Sequence, residues 1–145
     1  MRLHASCAAR AEAPGADALL LLGPPGSGKS DFTLRLLRHG FILVADDQVI
    51  IEDDLSVRAP ESLAGVLEVR GLGLFRLPFL HTATLRLAIT LGREAERLPV
   101  PRCHAVLGVP EITLDPALAS APERAALALE AACGRITQLA GAFAP

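Results

Sequence analysis

The sequence predicts an α/β domain with a mixed β-sheet, and three observations carry that expectation. A short apolar run, Ala18-Leu19-Leu20-Leu21-Leu22, has the length and composition of a buried strand. It feeds a glycine loop, Gly23-Pro24-Pro25-Gly26-Ser27-Gly28-Lys29-Ser30, and the loop feeds an amphipathic stretch, Asp31-Phe32-Thr33-Leu34-Arg35-Leu36-Leu37-Arg38, with leucines at helical spacing. Beyond this unit, strand patterns outnumber helical ones, so a mixed sheet is expected rather than a regular alternation of strands and helices.

The elements follow in order. A first short strand is expected at 3–8, then a loop at 13–17 leading into the apolar strand at 18–22. The helix over 31–38 stops at His39-Gly40, because glycine readily takes the left-handed conformation just past a helix end. A second buried strand at 41–45 runs into Asp46-Asp47. Val49-Ile50-Ile51 and Ser56-Val57-Arg58 flank Glu52-Asp53-Asp54 and read as a hairpin with a solvated turn. The stretch 65–71 alternates, with Glu68 and Arg70 opposite Leu67 and Val69, and Gly71-Leu72-Gly73 breaks it. Strands are expected at 84–91 and 110–114. A helix follows from 120 to 133, opened by a capping box, Ser120-Ala121-Pro122-Glu123.

Composition bounds what the chain can be. At 145 residues it is long enough for one core and too short for two, so a single domain over 1–145 is expected. A formal charge of −2 offers no basic field for nucleic acid. No apolar run reaches membrane-span length and no signal segment opens the chain, so the reading is cytoplasmic with no membrane partner. Cys7, Cys103 and Cys133 lie far apart without metal-ligand spacing, and buried free thiols are expected. Hydrophobic residues make up 51% of the chain, which leaves room for buried contacts in a homo-oligomer.

The chemistry gathers on the loop. Lys29 is the only lysine in the chain, and it stands where a Gly-x-x-x-x-Gly-Lys-Ser/Thr loop needs a slim point charge to reach the β/γ-phosphates of a nucleotide. The loop's backbone, from Gly23 to Ser30, would wrap the phosphates, and the Ser30 hydroxyl would face Mg²⁺. Asp46 and Asp47 end the next strand, one helix and one return strand after Lys29. Phosphoryl transfer needs a divalent cation and a carboxylate that holds it or accepts a proton from the attacking hydroxyl, and this pair could supply both. Adjacent strand residues point to opposite faces, so a solvated strand end is the plain reading for at most one of them. Glu68 is a further candidate metal ligand, with an ion pair to Arg70 as the equally weighted alternative. Glu52, Asp53, Asp54, Glu94 and Glu96 read as solubilising, His39 as a charge favoured at a helix C-terminus.

Three segments in order, Gly23 to Asp31, Phe41-Ile42-Leu43-Val44-Ala45-Asp46-Asp47-Gln48-Val49 and Leu67-Glu68-Val69-Arg70-Gly71-Leu72-Gly73, resemble the catalytic domain of the HPr kinase/phosphorylase family. The likeness covers about residues 1–75 well. It implies a P-loop kinase domain similar in fold to phosphoenolpyruvate carboxykinase, using ATP and Mg²⁺ to phosphorylate a serine on an HPr-like phosphocarrier protein of the phosphotransferase system, in many members with phosphorolysis as the reverse reaction. Carried onto this chain, it implies a nucleotide loop from Gly23 to Asp31, including Pro24, Pro25, Gly26, Ser27 and Gly28. Lys29 would lie on the β/γ-phosphates, with Ser30 and Glu68 or Asp47 toward Mg²⁺. Asp46 would be the base that takes the serine proton. His4, in Leu-His-Ala-Ser, falls where the family has a histidine near the phosphates. The chain reads as a short form lacking the family's additional N-terminal domain, and Pro25 removes a backbone donor and a hydroxyl from the cradle.

Two rivals stand beside this reading. A small-molecule kinase would need a lid and anchoring charges, and the stretch after Gly73 offers Arg76, Arg86, Arg93 and Arg97 but no evident lid. A non-catalytic ATP/ADP-binding regulator would have no use for the paired aspartates. Leu72, Leu74, Phe75 and Leu77 could form part of a docking surface for a protein substrate, although core burial is expected for most of them.

Overall fold

A computed structural model describes residues 1–12, 15–93 and 96–145. Ala13 and Pro14 of the expected loop, and Glu94, lie outside the described residues. Among the described residues, ten strands and two α-helices follow one another: β1 (Arg2–Leu3), β2 (Ser6–Glu12), β3 (Gly15–Leu22), α1 (Lys29–Leu37), β4 (Ile42–Ala45), β5 (Val49–Ile51), β6 (Ser56–Arg58), a 3-10 turn (Glu61–Leu63), β7 (Val66–Val69), β8 (Gly73–Arg76), β9 (Ala83–Leu91), β10 (Glu111–Leu114) and α2 (Ala121–Ala132).

The main sheet is mixed, as expected. Its order is β1-β5-β6-β9-β3-β2-β4, with β10 on the remaining length of β9. β9 runs parallel to β3 and to β10, and the other pairings are antiparallel. One consequence places the site. Because β2 is antiparallel to both β3 and β4, those two run in the same direction, and their carboxyl ends, Leu22 and Ala45, meet the amino end of β2 at one edge. The glycine loop, the aspartate pair and the segment around His4 therefore converge.

The two faces of the sheet bury different layers. On one, Phe32 and Leu36 of α1 and Ala121, Ala125 and Leu129 of α2 pack on Leu19, Leu21, Leu87 and Ile89. On the other, Cys7, Leu20, Val44, Val49, Val57 and Leu85 close together without a helix. Strand alternation in β3 makes both layers from one run, Leu19 and Leu21 facing the helices and Leu20 the opposite side. Arg35 ties α1 to the segment before α2 by donating to the carbonyls of Pro116 and Leu118. Across the helix layer, Asp17 accepts from Arg86 Nε at 2.9 Å and from Arg135 Nη1 at 2.8 Å. Among the described residues, no helix is long and apolar enough to cross a membrane.

Several expectations are corrected. The single strand expected at 3–8 is two, β1 and β2, separated at His4-Ala5, and β2 continues to Glu12 because Arg10, Ala11 and Glu12 pair with Asp17, Ala16 and Gly15 at the start of β3. The capping box at Ser120 does not form. Ser120 has φ −87° and ψ 8°, outside the extended region that an N-cap needs, and its hydroxyl accepts from Arg124 Nε at 2.8 Å instead. Gly71-Leu72-Gly73 does not end the strand pattern but turns it, so that β7 and β8 form a separate antiparallel hairpin. On it, Leu72 and Leu74 are 75% and 72% exposed and Phe75 is also exposed, contrary to the core burial expected for most of this group. Of the three thiols only Cys7 is fully buried, and that burial pushes it well above the usual thiol range; Cys103 is exposed.

Candidate active site

The loop between β3 and α1 owes its shape to glycine. Gly23, Gly26 and Gly28 all have positive φ, and at Gly23 a Cβ would sit 2.5 Å from the Ser27 hydroxyl oxygen. Any side chain there would displace Ser27. The Ser27 amide donates to the Pro24 carbonyl at 3.1 Å, and the first helical bond runs from Phe32 N to Gly28 O at 2.8 Å. Lys29 opens α1 and is only 8% exposed. Its Nζ donates to the carbonyls of Gly23 at 2.7 Å and Pro24 at 3.2 Å, so the lysine ammonium is folded back over the loop it belongs to. Ser27 Oγ is buried with no hydrogen-bond partner among the described residues. An unsatisfied hydroxyl beside an ammonium, at a helix N-terminus, is a donor set that suits phosphate oxygens. Asp31 stands in the first turn of α1, exposed on the cavity side.

The two aspartates part company. Asp46 is 5% exposed and turned under the loop. Its carboxylate accepts from Ser30 Oγ at 2.8 and 3.0 Å, from Ser6 Oγ at 2.7 Å and from the Glu68 amide at 3.3 Å. Asp47 has φ 71°, a left-handed residue at the strand end, so the strand's alternation stops there and its side chain reaches into the open. It pairs with His4, Nδ1 to Oδ1 3.1 Å, both side chains more than half exposed.

One cavity of about 400 Å³ is lined by Lys29 and Ser30 together with His4, Asp47, Glu68 and Arg70. All of the expected catalytic and metal residues except Asp46 line it. The expected base, Asp46, instead lies behind Ser30, with its oxygens taken up by neutral donors. The solvated strand end is Asp47, and it is the carboxylate that faces the cavity. The ion pair between Glu68 and Arg70 does not form; both side chains are exposed toward the cavity.

Sequence reasoning passed over Ser6, whose hydroxyl is a direct partner of Asp46. Nothing local marks it, since Ser6 is followed by Cys7, Ala8 and Ala9, which carry no polar pattern. The signal lies in the pairing: Cys7 stands opposite Ala45, which carries Ser6 to the level of Asp46.

The donors present fit a nucleotide-bound Mg²⁺. Among the described residues no group of three or more His, Cys, Asp and Glu side chains could hold a metal by itself. Mg²⁺ is commonly bound through one or two carboxylates and a hydroxyl, with phosphate oxygens and water completing the shell, and Ser30, Asp46 and Glu68 are such a set.

Comparison with known proteins gives concordant results. Residues 16–87 match the family described as HPr Serine kinase C-terminal domain. The HPr kinase/phosphorylase of Acidovorax sp. (strain JS42) is 37% identical over 141 residues, covering 85% of this chain and 44% of that protein. That of Leptothrix cholodnii is 40% identical over 110 residues, covering 63% of this chain and 34% of that protein. This chain thus spans less than half the length of these relatives. A solved structure of the HPr(Ser) kinase/phosphatase from Coxiella burnetii superposes with a TM-score of 0.70 at 21% identity, covering 93% of this chain and 96% of that one, and so has the same fold.

Proposed function

Because this chain belongs to the HPr kinase/phosphorylase family, we propose that it is a P-loop kinase, related in fold to phosphoenolpyruvate carboxykinase, that transfers the γ-phosphoryl group of ATP to a serine of an HPr-like phosphocarrier protein. Residues 1–145 act as one catalytic domain, in the cytoplasm and with a homo-oligomer as the working form. The observation that carries the reading is the meeting of Lys29 and Ser30 with the His4–Asp47 pair across one cavity.

The roles follow from the geometry. The loop from Gly23 to Ser30 wraps the phosphate chain. Lys29 exchanges its two carbonyl partners for β/γ-phosphate oxygens. Ser30, Asp46 and Glu68 would hold Mg²⁺, which when bound neutralises charge on the phosphates and so lowers the barrier to attack. Asp47 accepts the proton of the acceptor serine, and His4 orients its carboxylate through Nδ1. In phosphorolysis Asp47 would return that proton. Base and cation-holding roles are thus divided between the adjacent aspartates in the reverse of the order the resemblance implied.

A protein acceptor is favoured over a small molecule by the β7–β8 hairpin. The strand that brings Glu68 and Arg70 to the cavity continues into exposed Leu72, Leu74 and Phe75, an apolar rim that a small substrate would leave wet. The test is transfer of labelled phosphate from ATP and Mg²⁺ to a purified HPr-type carrier, with the labelled residue mapped. Label on a carrier serine supports the reading. Label on a small hydroxyl compound alone would redirect it to a small-molecule kinase, and nucleotide binding without any transfer would redirect it to a regulator.

A further inference from the structure

Ser6 is 1% exposed at the start of a strand whose neighbours, Ala5, Cys7, Ala8 and Ala9, are all apolar and buried. A buried hydroxyl is costly unless it is hydrogen-bonded, and among the described residues the acceptor it meets is Asp46 Oδ1, at 2.7 Å. The pairing of β2 with β4 fixes this contact, since Cys7 stands opposite Ala45 and the strands run antiparallel. Asp46 in turn is anchored on three sides: by Ser6, by the Glu68 amide at 3.3 Å and by Ser30 Oγ.

We propose that Ser6 is a positioning residue that sets the divalent-cation affinity of the loop. By donating to Oδ1 it holds the Asp46 carboxylate in the plane that accepts the Ser30 proton, which leaves the lone pairs of the Ser30 oxygen for the cation. The inference rests on reading Ser30 and Asp46 as the cation side of a nucleotide site. Without the Ser6 hydroxyl, the carboxylate loses one of its three fixed donors and can rotate about its last bond, and the Ser30 hydroxyl follows it. A partner one shell out from a ligand typically changes metal affinity by about 10–100-fold.

The experiment is a Mn²⁺ titration, read by electron paramagnetic resonance, of the whole chain with a non-hydrolysable ATP analogue. Ser6→Ala should weaken Mn²⁺ binding about 10–100-fold, with the cation-free affinity for the analogue unchanged. Ser6→Thr, which keeps the hydroxyl, should retain most of the Mn²⁺ affinity, and thermal unfolding of each protein separates loss of the site from loss of the fold. Wild-type Mn²⁺ affinity in Ser6→Ala, or an equal loss in a folded Ser6→Thr, would overturn the role of Ser6 while leaving the kinase reading intact. Absence of Mn²⁺–nucleotide binding in the wild type would overturn both.

Discussion

Replacing Asp46 by asparagine changes one oxygen to an amide nitrogen at a position where every contact donates to a carboxylate. With the amide group in place of Oδ2, its N–H₂ meets the Glu68 N–H donor, which loses its acceptor, and points at Ser30 Oγ, which must now accept. The orphaned amide costs about 1–3 kcal/mol, and the hydrogen bonds from Ser6 and Ser30 each fall by roughly 1 kcal/mol when the acceptor is no longer charged. Removing a 5%-exposed carboxylate whose donors are all neutral returns part of that, because burying a charge is itself costly. The net expectation is a loss of about 1–3 kcal/mol in a urea unfolding curve. The functional effect should be larger: the cation side loses its buried charge, and a Ser30 lone pair is taken by an N–H, so Mn²⁺ affinity with a bound ATP analogue should fall by at least about 100-fold. Cation-free analogue binding should stay near the wild-type value. A folded Asp46→Asn that binds Mn²⁺ as tightly as the wild type would refute the placement of Asp46 on the cation side.

Three further outcomes are expected. Phe32 is fully buried between α1 and the sheet, so Phe32→Ala should lower unfolding stability by about 3–5 kcal/mol, and a loss below 1 kcal/mol would contradict that anchoring. Burial raises the Asp17 carboxyl, but hydrogen bonds from Arg86 and Arg135 outweigh that and hold it below its ordinary value. Its stabilisation is therefore fully present above the unfolded pKa of about 3.9 and lost as pH falls through the lower folded value, so Asp17→Asn should flatten the acid end of a melting-temperature profile. An unchanged slope there would dismiss the network. Leu72→Ser with Leu74→Ser should raise KM for the carrier protein while leaving ATP affinity and melting temperature unchanged, because both side chains are largely exposed; an unchanged KM would remove the hairpin from the docking surface.

How far the sequence reaches depends on where the information lies. The loop and its flanks were legible because glycine, lysine and an apolar run are local signals with local causes. The hairpin of β5 and β6 was legible for the same reason, as its acidic turn stands between the apolar Val49-Ile50-Ile51 and the alternating Ser56-Val57-Arg58. The extent of β2 was not, since Ala8, Ala9 and Ala11 carry almost no periodicity and the strand exists through its two neighbours. β8 was missed because Gly73-Leu74-Phe75-Arg76 is exposed throughout, which erases the alternation that marks a strand. The order of the two aspartates could not be read from parity: Asp47 adopts φ 71°, and pleat alternation does not extend past such a residue. Ser6 is the same case one step removed, its meaning set by a residue forty positions away.

In the proposed reaction Asp47 takes the proton of an acceptor serine held at the Lys29 loop. The most direct measurement is the rate of labelled phosphate transfer from ATP to an HPr-type carrier by the wild type and by Asp47→Asn, with Mn²⁺–analogue binding measured on both. The variant's kcat should fall by about 100- to 10,000-fold, the range expected for loss of a general base, with nucleotide and cation binding retained. Transfer by Asp47→Asn at the wild-type rate, or no transfer by the wild type to any carrier serine, would contradict it.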